Sequence, residues 1–242
     1  MSGTDWVANI SANNVQVFRP NGTILTTITS PLFNKPWGVA SNHGMRNSLD
    51  GSVGSFFVSN VADATIIRVD IIPSGNGTKF RFFQIGQLTQ TVDKKTKLNM
   101  VWVPSLQIGG HRYSDVLLVL DIANNRVAAF ANSTTMNTTT TLSTSKGITV
   151  FQGKPLNTPG GLSINPLNGD LLVANLNDNN LIELNLSQGK VIGTRLLDNA
   201  PVDVQSGNGS ALFGIAATTD ARGNLEVFFV DDNMNTLNVL SL

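Results

Sequence analysis

Apolar residues along this chain gather into short runs, most of them closed by asparagine or aspartate, and no stretch keeps a 3.6-residue apolar period long enough to argue for a helix. Five runs match one another: Trp6-Val7-Ala8-Asn9, Phe57-Val58-Ser59-Asn60, Leu118-Val119-Leu120-Asp121, Leu172-Val173-Ala174-Asn175 and Phe229-Val230-Asp231. Their closing residues, the anchors, lie 51, 61, 54 and 56 positions apart. Six residues past each anchor stand Val15, Ile66, Val127, Leu181 and Leu237, and nine past it stand Phe18, Val69, Phe130, Leu184 and Leu240, all apolar. Four past it, Asn13, Asn125, Asn179 and Asn235 recur, with Ala64 the exception. Asparagine tolerates the left-handed backbone of a tight turn, so each copy predicts strand, short polar turn, strand in a fixed register.

Further strands flank these hairpins. Upstream of four anchors lie Trp37–Ala40, Met100–Val103, Gly161–Ile164 and Phe213–Ala216; downstream of four hairpins lie Ile24–Thr29, Lys79–Ile85, Ile148–Gln152 and Val191–Leu197. Four strands in a repeat of this length make a propeller blade, whose small twisted sheet buries both faces against its neighbours. The expected fold class is therefore all-β: a β-propeller with five recognisable four-stranded blade repeats in one domain, 1–242. The blades fall at about 5–30, 36–86, 99–153, 159–198 and 211–242. The first lacks an inner strand before Trp6 and the last an outer strand after Leu242, so both are expected to be incomplete.

The segment Asn157-Thr-Pro159-Gly-Gly161-Leu-Ser-Ile-Asn-Pro-Leu-Asn-Gly169-Asp-Leu-Leu-Val-Ala-Asn175, followed by Asn179-Asn180-Leu-Ile-Glu-Leu, resembles the NHL repeat. Asn34-Lys-Pro36-Trp37-Gly38-Val-Ala with Phe57-Val-Ser-Asn60 is similar to a family of uncharacterised secreted propellers carrying Asn-Pro-Trp-Gly and Trp-Val-Ala-Asn motifs. Relatives of this type usually have six blades, which the resemblance implies as the ancestral number. The motifs are those a propeller needs to fold, so the resemblance bears on architecture more than on chemistry.

Sixteen basic residues balance sixteen acidic ones, and only 13% of the chain is charged, which leaves no electrostatic footprint for nucleic acid. No apolar run approaches the ~20 residues of a membrane span, and the N-terminus has neither the basic nor the apolar region of an export signal. Cysteine is absent, which removes disulfides, thiolate nucleophiles and cysteine zinc sites together. Asparagines in N-x-[ST] sequons are Asn9, Asn21, Asn76, Asn132, Asn137, Asn185 and Asn208. With 28 asparagines this is slightly above chance, and it leans toward an extracellular glycoprotein.

In blade geometry the anchors share one face, where Asn60, Asp121, Asn175 and Asp231 would offer oxygens to a hard cation such as Ca²⁺. The competing reading is that each anchor ends its strand by bonding nearby backbone, and recurrence in every copy favours it, because a catalytic group is needed once rather than five times. Some propellers of related build are calcium-dependent lactonases or esterases with a glutamate at the metal, but Glu183 and Glu226 stand at other places in the repeat. Propellers that hold zinc with three histidines are not matched either, since the chain has only His43 and His111, both expected in solvated loops. No Gly-x-Ser-x-Gly elbow or phosphate loop occurs, and the Lys94-Lys95-Thr96-Lys97 cluster reads as a solvated charge run.

Three segments away from the anchors read as loops: 41–54, 104–113 and the Thr-rich 132–145. The expectation is a non-catalytic propeller that binds a protein, peptide or glycan, with no cofactor. The alternative is a Ca²⁺-dependent lactonase-like hydrolase.

Overall fold

The computed structural model describes residues 4–42, 51–75, 77–91, 96–135, 143–203, 209 and 212–242. They form an all-β, five-bladed propeller built from five antiparallel sheets. The first sheet has three strands, β1 (Asp5–Asn9), β2 (Asn14–Phe18) and β3 (Ile24–Ile28). The second is complete, with β4 (Pro36–Ser41), β5 (Gly54–Asn60), β6 (Thr65–Ser74) and β7 (Gly77–Gln87). The third holds β8 (Met100–Ile108), β9 (His111–Asp121), β10 (Arg126–Phe130) and β11 (Ile148–Gln152). The fourth holds β12 (Pro159–Ile164), β13 (Leu171–Asn175), β14 (Asn180–Asn185) and β15 (Lys190–Leu196). The last again has three, β16 (Leu212–Thr219), β17 (Leu225–Asp231) and β18 (Thr236–Ser241). The incomplete first and last blades are thus as the repeat predicts.

Burial follows strand position. The second and third strands of the complete sheets are buried on both faces, as in β5, β10 and β13, whereas the outer strands β11 and β15 are largely exposed. Strands covered on both sides need continuous apolar runs rather than alternation, which is why the anchor runs stand out in the sequence.

The chain divides into two compact units, 1–105 with 113–119 and 129–148, and 106–112 with 120–128 and 149–242. In the first, Val15 and Val17 pack with Phe56, Val58, Ile67 and Val69, and Trp6 lies 4.2 Å from Phe56 between ring centroids. In the second, Leu172 and Leu181 pack with Leu225 and Val227. Counted from the anchors, Trp6, Val15 and Phe56 hold the same positions as Leu172, Leu181 and Val227. In both clusters, residues three before and six after one anchor pack with the residue four before the next. Side chains alternate across a strand, so the repeat fixes which face of each sheet meets its neighbour.

One expectation is corrected. Residues 104–113 are not a loop: β8 continues to Ile108, turns through Gly109 and Gly110, both at positive φ, and returns as β9 from His111. Two adjacent glycines read as an irregular loop in the sequence, but they also suit the left-handed turn of a tight hairpin.

Candidate functional site

The anchor asparagines are positioned by the ends of their strands, and their carboxamides reach back to the loop that enters their own blade. Asn60 Oδ1 accepts the backbone N–H of Asn34 at 3.0 Å, while its Nδ2 donates to the Leu32 carbonyl at 2.8 Å and to Thr65 Oγ1 at 2.7 Å. Asn175 does the same in the fourth blade, accepting from Asn157 N–H at 3.1 Å and donating to the Pro155 carbonyl at 2.8 Å. The same loops are held from the preceding blade by the turn asparagines. Asn13 Oδ1 accepts from Lys35 N–H at 2.8 Å and Asn125 Oδ1 from Thr158 N–H at 2.7 Å. A further matched pair, Asn34 to Asp63 and Asn157 to Asp178, completes each clamp at 2.9 and 3.0 Å.

The aspartate anchors behave differently. Asp121 receives Asn124 Nδ2 on both oxygens, at 3.1 and 3.0 Å, and pairs with Arg126, whose Nη2 lies 2.9 Å from Oδ2. Asp231 Oδ1 accepts the N–H groups of Asn233 and Met234 at 3.0 and 3.1 Å, closing the last hairpin turn. Asn60, Asp121, Asn175 and Asp231 each have an oxygen that accepts from an N–H donor, the bonding expected of an anchor that ends its strand. Among the described residues, no three His, Cys, Asp or Glu side chains gather as a metal cluster.

The glycines of the Pro-x-Gly motifs have a packing cause. A Cβ on Gly38 would stand 2.5 Å from the Leu98 carbonyl oxygen, and one on Gly161 would stand 2.9 Å from that of Phe213. Gly38 thus passes against the chain just before β8 and Gly161 against β16 itself, and only glycine leaves room. Ser59 Oγ seals the first contact, accepting from Gly38 N–H at 2.9 Å and donating to the Leu98 carbonyl at 2.7 Å.

Two polar clusters escaped the sequence reading. Arg68 and Asp70, both fully buried on β6, form an ion pair at 3.1 Å, with Ser55 Oγ donating to Asp70 at 2.7 Å and the guanidinium lying 4.2 Å over the Phe83 ring. Nearby, Asp115 collects Trp102 Nε1 at 2.6 Å, Ser133 Oγ at 3.0 Å, and the backbone N–H and hydroxyl of Thr134. The signal was present, since Arg68 and Asp70 alternate inside an otherwise apolar strand where a charge must find partners. The second cluster joins Asp170 and Glu183: Glu183 Oε1 accepts from Asn165 and Asn168, and Asp170 from Asn185 at 2.9 Å. Burial, and then the charge of Glu183, push the Asp170 carboxyl above its ordinary value, while the bond from Asn185 opposes them.

The candidate glycosylation asparagines are unlike one another. Asn21 is exposed on the tip of the β2–β3 hairpin, its Oδ1 accepting from Thr23 N–H and Oγ1 at 3.1 and 2.8 Å. Asn185 spends its Nδ2 on Asp170, and Asn132 stands at a φ of 51° beside the buried Ser133. Asn9 accepts the N–H of Ala12 at 3.0 Å. His111 is exposed at the start of β9 rather than in a loop. Asn76, Asn137, Asn208 and His43 lie outside the described residues, as do Lys94 and Lys95.

No protein-family model matches this chain, and no curated protein does. Solved structures do. A catalytically inactive H270A virginiamycin B lyase from Staphylococcus aureus, with quinupristin, aligns at a TM-score of 0.55 and 14% identity over 98% of this chain and 64% of its own. A chain of a nidogen/laminin complex aligns at 0.61 and 15% identity over 100% and 73%. Hydrazine synthase of Kuenenia stuttgartiensis aligns at 0.54 and 11% over 99% and 60%. The chain spans just under two thirds of the lyase chains, 64% and 65% of their lengths. At such identities the likeness shows the propeller fold, distantly shared by enzymes and by proteins in binding complexes, and nothing finer.

Proposed function

We propose that this chain is a non-catalytic binding module of NHL-like build, taking a protein, peptide or glycan on a rigid propeller scaffold. The observation that carries the reading is the use of the anchor carboxamides. Asn60 and Asn175 spend both their donor and their acceptor groups on holding inter-blade loops. Anchor groups engaged in this way support a scaffold role, and loops held from two sides offer a pre-organised surface at little ordering cost. The buried partners of Arg68, Asp70 and Asp115 likewise engage the strongest charges of the first unit internally. The nidogen/laminin match supplies a propeller solved within a complex, a precedent for the architecture only.

The reading is tested by panning the immobilised chain against a phage-displayed peptide library and a printed glycan array, alongside assays of lactone and ester turnover in millimolar Ca²⁺. The expected outcome is saturable, calcium-independent binding of a defined peptide or glycan. Calcium-dependent turnover abolished by substitution of Asn60, Asp121, Asn175 or Asp231 would replace this reading with the hydrolase.

A further inference from the structure

We propose that Asn21 is, among the described sequons, the N-glycan attachment site of this chain, taking an oligosaccharide from a polyisoprenyl-pyrophosphate donor at the tip of the β2–β3 hairpin. This goes beyond the binding-module reading and does not rest on it.

N-linked transfer needs three things of a sequon: a carboxamide nitrogen that can be reached, a hydroxyl two residues on, and room outside the fold for a bulky group. Asn21-Gly22-Thr23 offers all of them. Residues 19–25 are exposed throughout, and a Cβ placed on Gly22 meets nothing within 4 Å. Main-chain bonds close the tip, with Gly22 N–H donating to the Arg19 carbonyl and Arg19 N–H to that of Thr23, both at 2.9 Å. The two sequon side chains are already turned toward each other. Thr23 N–H and Oγ1 both donate to Asn21 Oδ1, at 3.1 and 2.8 Å, and Arg19 Nη1 donates to Thr23 Oγ1 at 3.3 Å. These bonds hold the carboxamide by its oxygen and leave Nδ2 without a hydrogen bond among the described residues.

The other described sequons each lack one of the three. Asn185 turns Nδ2 onto the buried Asp170 carboxylate at 2.9 Å, so a sugar on that nitrogen meets the Asp170–Glu183 cluster. Asn132 is exposed, but Thr134, whose hydroxyl completes its sequon, is buried and donates to Asp115. Asn9 is half-buried where β1 ends, between half-buried Ala8 and Ile10, with Oδ1 taken by Ala12 N–H at 3.0 Å. Modification before folding keeps Asn21 ahead of Asn185, because a sugar at Asn185 has to fit against Asp170 as the sheet forms.

In the transfer, Asn21 Nδ2 attacks the anomeric carbon of the donor sugar and the bond from that carbon to the pyrophosphate oxygen breaks. The lipid pyrophosphate leaves with the electron pair, and one Nδ2 proton goes to solvent. Donor and membrane transferase belong to the secretory route, in keeping with the extracellular glycoprotein toward which the sequons lean. The product suits its place: Ile24 and Leu25, which open the uncharged outer strand β3, are exposed, and a bulky solubilising group at the adjoining tip shields such an edge.

The full chain is sent through the secretory route of a eukaryotic cell behind a cleavable leader, and secreted and retained pools are both collected. Digestion with peptide-N-glycosidase in heavy-oxygen water converts each sugar-bearing asparagine to labelled aspartate, which peptide mass spectrometry locates. The expected result is label at Asn21 in most molecules, with little or none at Asn9, Asn132 and Asn185. Asn21→Gln, which keeps a carboxamide but ends the sequon, should remain secreted and lose that label. Asn21 unlabelled in both pools overturns the proposal. So does label at Asn9, Asn132 or Asn185 equal to that at Asn21 in the secreted chain, because the fold then does not choose among its sequons. Neither result touches the binding-module reading, which library selection decides.

Discussion

The side-chain oxygen of Asn125 accepts the backbone N–H of Thr158 at 2.7 Å, and both residues hold left-handed backbone, at φ 46° and 55°. Asn13 and Lys35 repeat the arrangement at 2.8 Å, with φ 51° and 60°. Each receiving residue precedes a proline, which disfavours the right-handed helical region for it. The loop between blades is thus bent at one fixed point and gripped there by the blade before it, while the anchor of its own blade grips it one and three residues earlier. Such a clamp makes the entry into each blade a property of the repeat rather than of the individual loop.

Removing one grip should be costly. Asn175→Ala leaves the fully buried end of β13 without its carboxamide and orphans the Asn157 N–H and the Pro155 carbonyl, so a loss of about 2–4 kcal/mol is expected in urea unfolding. Asn21→Ala, at an exposed hairpin tip, is the control and should cost under about 1 kcal/mol. Equal effects of the two would contradict the clamp.

Gly161→Ala separates close approach from backbone freedom. Its Cβ would press on the Phe213 carbonyl at 2.9 Å, and backbone on both sides must yield, at about 1–3 kcal/mol. Gly169, at φ 78° with open space around it, should cost about 1–2 kcal/mol on change to alanine through conformation alone. A crystal structure of Gly161→Ala should show displaced chain at 213, whereas Gly169→Ala should leave the fold in place.

Asp170 makes stability depend on pH with a definite sign. Its carboxyl is pushed above 3.8 in the folded chain by burial and by Glu183, so the fold favours its protonated form. That contribution is present below the unfolded value and is lost as pH rises through the folded one. Asp170→Asn keeps an acceptor for Asn185 and removes the charge. Its thermal midpoint should exceed that of the wild type at pH 7, with the gap closing toward about pH 3.5. A gap that widens on acidification would reverse the assignment.

Strand order, blade number and the incompleteness of both terminal blades were legible in the sequence because they rest on apolar runs in a fixed register from Asn9, Asn60, Asp121, Asn175 and Asp231. The partner of each anchor was not legible. Asn175 and Asp231 look alike in the repeat, yet one holds the loop before its blade and the other closes the turn after it. That choice depends on where the preceding loop runs, and loop length varies while strand register does not. Asp121 shows the same dependence: Ala64 stands where a turn asparagine would grip the entering loop, and the anchor pairs with Arg126 instead. The β8–β9 hairpin was obscured because Pro104 and the pair Gly109-Gly110 carry the residue types of an irregular loop.

The account's central claim is that the anchor oxygens serve the scaffold. Thermal unfolding of the purified chain in EDTA and then in millimolar Ca²⁺ tests it directly. An ion that binds only the folded chain at about 100 times its Kd adds roughly 2.7 kcal/mol, a shift of several degrees. The account predicts the same midpoint, within about a degree, in both buffers. A clear rise with Ca²⁺ that Asn60→Ala or Asp121→Asn abolishes would contradict it and make the anchors a metal site.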